Sequence, residues 1–272
     1  MNNGQIASGY IKRGWAVLPL HSWVQTRDGW GCSCGNKDCH SPAKHPIPKN
    51  GLNVASTDEA LVKAWWKRWP YANIGIRTGA VSGLVVLDVD PRHGGDESLY
   101  ALKSKCALPD TVEVITGSGG RHVYFQHPGK LVRNSAGKIG AGLDIRGDGG
   151  YIVAPGSNHK SGGHYDWEAS SSPDLTAIAP LPQPLIDLIA EDHAARQQST
   201  YVEGAVVAAG GRNAYLTSLA GAMRHRGMAV RAIAYALWYE NLDKCAPPLT
   251  ADEVKSIARS IGRYEPTRGL NG

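Results

Sequence analysis

Residues 83–90 read "GLVVLDVD". Four aliphatic side chains, Leu84 to Leu87, lead straight into Asp88 and Asp90, with Val89 between them. An apolar run this short and continuous reads as a buried strand. In a strand, residues i and i+2 share a face, so both carboxylates point the same way and repel each other. A divalent cation removes that conflict, and Mg2+ or Mn2+ prefers hard oxygen ligands. Alone, the pattern also fits a solvated strand end where Asp90 and Pro91 open a turn.

Two later motifs extend the reading. "TGSGGRHVYF", residues 116–125, is a Gly-rich turn before a strand beginning at His122. Glycines let backbone N–H groups approach phosphates, Ser118 can donate a hydrogen bond, and His122 can touch a phosphate oxygen. In "GLDIRGDGGYIVAPGS", residues 142–157, Asp144 faces away from Leu143 and Ile145. If this strand lies beside the first, Asp144 completes a three-carboxylate cluster, and Arg146 on the same face can meet a triphosphate. Ser157, His159 and Lys160 follow in a loop, and Asp148–Gly149 reads as a turn. The chain contains neither GxxxxGK[ST] nor GxSxG, so neither a P-loop nor a nucleophile elbow is present.

"CSCGNKDCHSPAKHP" places Cys32, Cys34 and Cys39 close to His40 and His45. Three thiols and one imidazole suit a tetrahedral structural Zn2+. His45 is favoured over His40 as the fourth ligand, because "PAKH" gives the chain room to return. Cys106 and Cys245 fall in helical patterns and read as core. With five cysteines clustered this way, a metal site in a reducing compartment is expected rather than a disulfide framework.

The 272 residues allow one large domain plus a small appendage. No apolar run reaches transmembrane length and the N-terminus is not a signal peptide, so a soluble cytoplasmic protein is expected, with no membrane partner. The formal charge of +5 is uneven. Residues 1–50 carry six Lys/Arg against two Asp/Glu, residues 51–195 thirteen against sixteen, and residues 196–272 ten against six. Basic ends around an acidic middle fit a polyanion held at the flanks and cations at the centre, or simple variation in surface charge.

Elsewhere a helix is expected before a strand over Trp15–Leu20. "STDEALVKAWWKRWP" reads as a helix with a Ser56/Glu59 capping box and an apolar face of Leu61, Ala64, Trp65 and Trp69. "DESLYALKSKCALP" reads as a helix ending before Pro109. After a polar linker come three helical patterns: one with Asn213 as N-cap and Gly227 as stop, one with Val230, Ile233, Ala234, Leu237 and Trp238 on one face, and one opened by a Thr250/Glu253 capping box.

Together, "LDVD", "SGGRH" and "LDI" resemble the three motifs of the archaeo-eukaryotic primase superfamily, most closely its bifunctional primase–polymerase branch of plasmids, phages and other mobile elements. The likeness runs from "GWAVLPL" to "APLPQPLIDLI" and includes the "CSC…C…KHP" insertion. The tail from "GRNAYLTSLAGAMRHRG" resembles the helical domain that often follows. The resemblance implies an α+β fold: an RRM-like core, a second small sheet subdomain and a zinc loop over 32–45 within residues 1–195, a linker over 196–210, and an all-α bundle over 211–272. It implies that Asp88, Asp90 and Asp144 hold two Mg2+ or Mn2+ ions and that Ser118 and His122 contact the nucleotide's phosphates. Arg146, Lys160, His159 and Ser157 are nucleotide-binding candidates beside them. The spacing between "SG" and His122 departs from the tightest Ser-x-His form, which leaves the role of Ser118 open. The expected activity is template-directed nucleotidyl transfer, making or extending primers on single-stranded DNA from NTPs or dNTPs, with a replicative helicase as a possible partner. Lys37, Lys44 and Lys49 would grip template or the primer's 5′ end, and Arg212, Arg224, Arg226 and Arg231 would add phosphate contacts or form a solvated basic face. A nuclease on the same carboxylates and a non-catalytic DNA-binding module are the alternatives.

Overall fold

Asp88 sits on the central strand of an antiparallel sheet, and its surroundings follow from which way the neighbouring strands point their side chains. The computed structural model describes residues 2–27, 29–198 and 206–262, with the backbone alone over 191–198. In chain order the first elements are α1 (Asn3–Lys12), β1 (Val17–Leu20), β2 (Trp23–Thr26), β3 (Gly29–Cys32), α2 (Glu59–Arg68), β4 (Asn73–Arg77) and β5 (Leu84–Val89). Then come α3 (Gly95–Lys105), β6 (Glu113–Ile115), β7 (Arg121–Gln126), β8 (Ser135–Ala136), β9 (Leu143–Arg146) and β10 (Tyr151–Val153). They are followed by β11 (Asp166–Trp167), β12 (Ala179–Pro180) and α4 (Gln183–Gln198). The last are β13 (Val207–Ala208), α5 (Arg212–His225), α6 (Val230–Lys244), β14 (Cys245–Ala246) and α7 (Ala251–Ile261). The chain divides into two units, Met1–Ala195 and Arg196–Gly272. The fold is of the expected mixed helix-and-sheet class, with several sheets and a helical C-terminal region.

The larger sheet of the first unit runs β11-β6-β7-β5-β9-β8, with β12 pairing parallel to Phe125 and Gln126 of β7. A second antiparallel sheet runs β1-β4-β10. Strand β5 is buried on both faces because each face meets a different apolar layer. Val85, Leu87 and Val89 pack with Leu99 and Leu102 of α3 and with Leu185 and Ile189 of α4. Leu84 and Val86 pack with Tyr124 against Leu18, Leu20, Ile74, Ile76 and Ile152 of the second sheet. Pleat alternation therefore places Asp88 in the row between the two sheets, one step beyond Val86.

Several local expectations are corrected. Helix α2 is capped by Asp58, whose side chain accepts from Leu61 N, and Ser56 Oγ instead accepts from Asp58 N at 3.0 Å. Its buried face is Val62 and Trp66, flanked by Trp65 and Trp69, while Leu61 and Ala64 are exposed. The cysteine loop begins with a hairpin, β2–β3, whose last residue is Cys32.

In the second unit, α5 begins at Arg212 behind Gly211 without a side-chain cap, and Asn213 instead accepts from Thr217 Oγ1. The Thr250/Glu253 capping box forms. Ile233, Leu237, Leu216 and Ile257 share a core there, crossed by the fully buried Asn241, which exchanges two hydrogen bonds with the main chain of Leu249. The expected linker over 196–210 begins inside α4, and part of it, like residues 263–272, lies outside the described residues.

Candidate active site

Register brings the three motifs together. Asp88 of β5 stands opposite His122 of β7 on one side and Asp144 of β9 on the other. Directly paired residues point to the same face, so His122, Asp88 and Asp144 form one row across three strands. Arg146, two residues after Asp144, shares that face. Its Nη2 donates to Asp144 Oδ2 at 2.8 Å and to Asp88 Oδ2 at 3.3 Å. The guanidinium thus bridges two facing carboxylates that would otherwise repel.

Asp90 lies just past the strand. Its N–H donates to Gly142 O at 2.8 Å, tying the end of β5 to the start of β9. Gly142 has φ +69°, and a Cβ there would lie 2.6 Å from Asp90 O, so only glycine fits the junction. The Asp90 carboxylate accepts two hydrogen bonds from the Arg92 side chain, at 2.9 and 2.8 Å, and lies 3.0 Å from His93 Nδ1. The Arg92 hydrogen bond holds its pKa well below the usual carboxylate range.

The Gly-rich turn packs against the end of β5. Gly120 N donates to Thr116 Oγ1 at 2.9 Å, and Ser118 Oγ lies 3.3 Å from the same hydroxyl. A Cβ on Gly120 would come 2.4 Å from Val89 O. His122 is buried, with Nε2 3.6 Å from Asp88 Oδ1 and Nδ1 without a hydrogen-bond partner. Burial lowers its pKa, against an opposing pull from Asp88.

These groups line a cavity of about 430 Å3 that also takes in Lys44, Arg92, His93, Thr116 and Tyr165. A second cavity of about 370 Å3, walled by Ser41, Leu52, Asn134 and Tyr151, shares Lys44, Asp88, His122, Arg146 and Tyr165 with it. The two form one bipartite cleft.

Of the expected site residues, Asp88, Asp90, Asp144, Ser118, His122 and Arg146 line this cleft. Three do not. Ser157 is fully buried, and its Oγ accepts from Ile74 N at 2.9 Å, so it fixes the main chain of β4. His159 is buried behind the Gly-rich turn: a Cβ on Gly117 would touch its Cβ at 2.3 Å. Its Nδ1 pairs with Ser161 Oγ at 2.9 Å, and burial, with Lys44 and Arg92 adding to it, pushes its pKa down to about 4. Lys160 is exposed in the next loop and lines neither cavity. Asp148, expected as a turn residue, accepts from Ala80 N and Val132 N and pairs with His127.

The residues missed are Lys44 as a cleft residue, Arg92, His93 and Tyr165. Arg92 and His93 follow Asp90 directly in "DVDPRH", a signal available in the sequence. Tyr165 is buried beside His122 and His159, at ring distances of 5.9 and 6.0 Å, and no local pattern marks it.

Cys32, Cys34, Cys39 and His45 bring one ligand atom each within 4.8 Å of one another. His45 Nε2 lies 3.6 Å from Cys32 Sγ and 3.4 Å from Cys39 Sγ, while His40 is exposed and outside the set. Four ligands of this kind and spacing fit a tetrahedral zinc. Among the described residues this is the only such group of three or more. Asp88 and Asp144, on adjacent strands and already sharing one cation, fit a divalent ion. Asp90, held by Arg92 and His93, lines the same cavity without joining them at that distance.

Among the described residues no helix is long and apolar enough to cross a membrane. In the second unit Arg212 donates to Pro247 O and Arg224 to Met228 O, so two of the four tail arginines bind main chain.

Residues 7–184 match the family described as bifunctional DNA primase/polymerase, N-terminal, and residues 200–267 match primase C terminal 1. No curated protein matches. A solved structure titled "Crystal structure of primase RepB'" aligns over 94% of each chain at 12% identity with a TM-score of 0.34, a likeness too low to carry an argument.

Proposed function

Because the chain belongs to the bifunctional DNA primase/polymerase family, whose members are nucleotidyltransferases acting on DNA and nucleotides, we propose that it makes or extends primers on single-stranded DNA at the Asp88–Asp144 row. The observation that carries this reading is the pairing of Asp88 with both His122 and Asp144 on one face of the sheet, opening into a cleft with a Gly-rich turn.

Divalent cations held by Asp88 and Asp144, with Asp90 beside them, would act as Lewis acids, activating the attacking 3′-hydroxyl and stabilising charge on the phosphates. The remaining work belongs to the chain. Burial keeps the His122 imidazole neutral near pH 7, so it carries one N–H to donate and adds no charge beside Asp88. Ser118 and the N–H groups of its turn donate to phosphate oxygens. Arg146 balances the carboxylates until cations take that place, and then has donors for the phosphates. The exposed Lys37 and Lys49 of the zinc loop supply a positive flank for template. The branch it resembles supports a role in copying a phage, plasmid or other mobile element, with a helicase as partner.

The test is to incubate the full chain with an oligonucleotide template, with and without a primer, with NTPs or dNTPs and Mn2+ or Mg2+. Products longer than the primer, or new short products without one, support the reading. Shortened template would make it a nuclease, and a gel shift without chemistry would make it a binding module.

A further inference from the structure

Lys44 is the residue through which the two metal-ligand clusters of the first unit meet. It immediately precedes His45, and its side chain lines both halves of the cleft beside Asp88. The backbone around it is held from several directions. Ala43 is fully buried with φ +62°, a conformation that non-glycine residues rarely adopt, and its N–H donates to Cys32 Sγ at 3.4 Å. Ala43 O accepts from Asn73 Nδ2 at 2.9 Å, Lys44 O accepts from the Tyr151 hydroxyl at 3.0 Å, and His45 O accepts from His21 N at 2.8 Å. A strained residue persists only where its surroundings over-determine it, and here they tie the cysteine knuckle to β4 and β10 with Lys44 between.

Without divalent metal, the other Lys/Arg side chains of the main cavity pair with its carboxylates. Arg146 is bonded to Asp88 and Asp144, and Arg92 to Asp90. Among the described residues no hydrogen bond or ion pair within 4.0 Å engages the Lys44 ammonium. Three acidic and three Lys/Arg side chains line the main cavity, so they cancel. Adding two divalent cations leaves a surplus of about four positive charges, about equal and opposite to the charge of a nucleoside triphosphate at neutral pH.

We infer that Lys44 is a fixed cation for the phosphate chain of the incoming nucleotide, unpaired even before metal binds, and that the Cys/His knuckle is its mount. This rests on the proposed primase–polymerase reading and assigns the knuckle a second consequence: its metal state sets nucleotide affinity through one side chain. The knuckle is then part of the nucleotide site as well as a flank for template.

The experiment measures binding of a fluorescent nucleoside triphosphate to the full chain in Mn2+ without template, alongside zinc content and the far-UV melting curve. Lys44→Met keeps the apolar stem and removes the charge. It should weaken binding about tenfold to a hundredfold, the range expected for a lost charged hydrogen bond, while retaining zinc. Lys44→Arg should restore most of the affinity. Lys67→Ala, exposed on α2, should bind as wild type. Cys39→Ser should weaken binding in the wild-type background and have little further effect in Lys44→Met. Should Cys39→Ser produce a factor undiminished in Lys44→Met, the mount is wrong; should Lys44→Met bind as tightly as wild type, the phosphate role is wrong. If Lys44→Met unfolds, Lys44→Arg with zinc and after zinc removal, both re-equilibrated in the same free Mn2+, becomes the deciding comparison: affinity that falls with loss of zinc supports the proposal, and affinity that does not fall overturns it. Primer extension by the wild type is scored separately. Its absence, with nucleotide binding that still depends on Lys44, would defeat the proposed reaction and leave this inference standing.

Discussion

Replacing Arg146 by methionine isolates the charge problem at the centre of the site. The change keeps an unbranched stem and deletes the guanidinium that bridges Asp144 at 2.8 Å and Asp88 at 3.3 Å. These carboxylates are register partners on adjacent strands, each side chain about a quarter exposed at 27%. Two charged hydrogen bonds at full strength would amount to roughly 3–6 kcal/mol. Partial exposure, the long 3.3 Å contact and solvent screening reduce this to about 2 kcal/mol. For a unit of this size, that is a fall in melting temperature of about 4–8 °C without divalent metal. Mn2+ should then reverse the loss, because it takes the place of the missing charge. A hundredfold excess over its Kd stabilises by about 2.7 kcal/mol. The wild type should gain less, since Mn2+ there competes with Arg146. Melting followed by circular dichroism, in EDTA and across a Mn2+ titration, reads both effects. Equal melting of the two proteins in EDTA, or equal shifts with Mn2+, would refute the idea that Arg146 holds the place of a cation.

Three further outcomes are expected. Asp88→Ala and Asp144→Ala should each lower nucleotide incorporation by about three orders of magnitude or more while retaining the wild-type far-UV spectrum; normal incorporation by either variant would mean the site is misplaced. Atomic absorption should find one zinc per chain, lost in Cys32→Ser and in His45→Ala but retained in His40→Ala; the reverse pattern for the two histidines would overturn the ligand assignment. His159 titrates near 4 when folded and near 6.5 when unfolded. In that window the unfolded chain binds the extra proton, so stability rises with pH and is lost as pH falls, by at most about 3 kcal/mol between pH 7 and 4. His159→Gln should flatten the denaturation-midpoint profile over that range, and a profile as steep as the wild type's would assign the slope elsewhere.

The acidic row was legible because it obeys a local rule. Period-2 alternation put Asp88, Asp144 and Arg146 on determinable faces, and only the adjacency of β5 and β9 had to be supposed. The Cys/His cluster was legible for a similar reason, since four candidate ligands within one short loop need little tertiary information. Lys44 as a cleft residue was not, because its place depends on Asn73 and Tyr151 holding the loop, and these are distant in sequence. His159 and Ser157 were misplaced for the opposite reason. Both are polar residues near a motif, yet burial turned them inward, His159 beneath Gly117 and Ser157 onto Ile74. The α2 face failed through a surplus of tryptophans: Trp65, Trp66 and Trp69 fit two overlapping helical stripes, and packing against the second sheet selects the one containing Val62.

The same alternation explains why the acidic row can exist next to so apolar a core. On the inter-sheet face, Val86 lies opposite Tyr124 of β7 and Arg146 of β9, and the next pair outward is Asp88 with His122. The core row and the acidic row are one row, apolar where the second sheet covers it and polar where it opens. Such an arrangement is intolerant of register. A slip of one residue would send Asp88 into the layer of Leu99, Leu102 and Leu185 and bring Val89 into the cleft. Two contacts fix the register at the vulnerable end: the Asp90 N–H to Gly142 O bond at 2.8 Å, and Gly120 pressed against Val89 O, where a Cβ would sit 2.4 Å away. The glycines of the second and third motifs therefore act on the carboxylates of the first, by setting which residue of β5 faces the cleft.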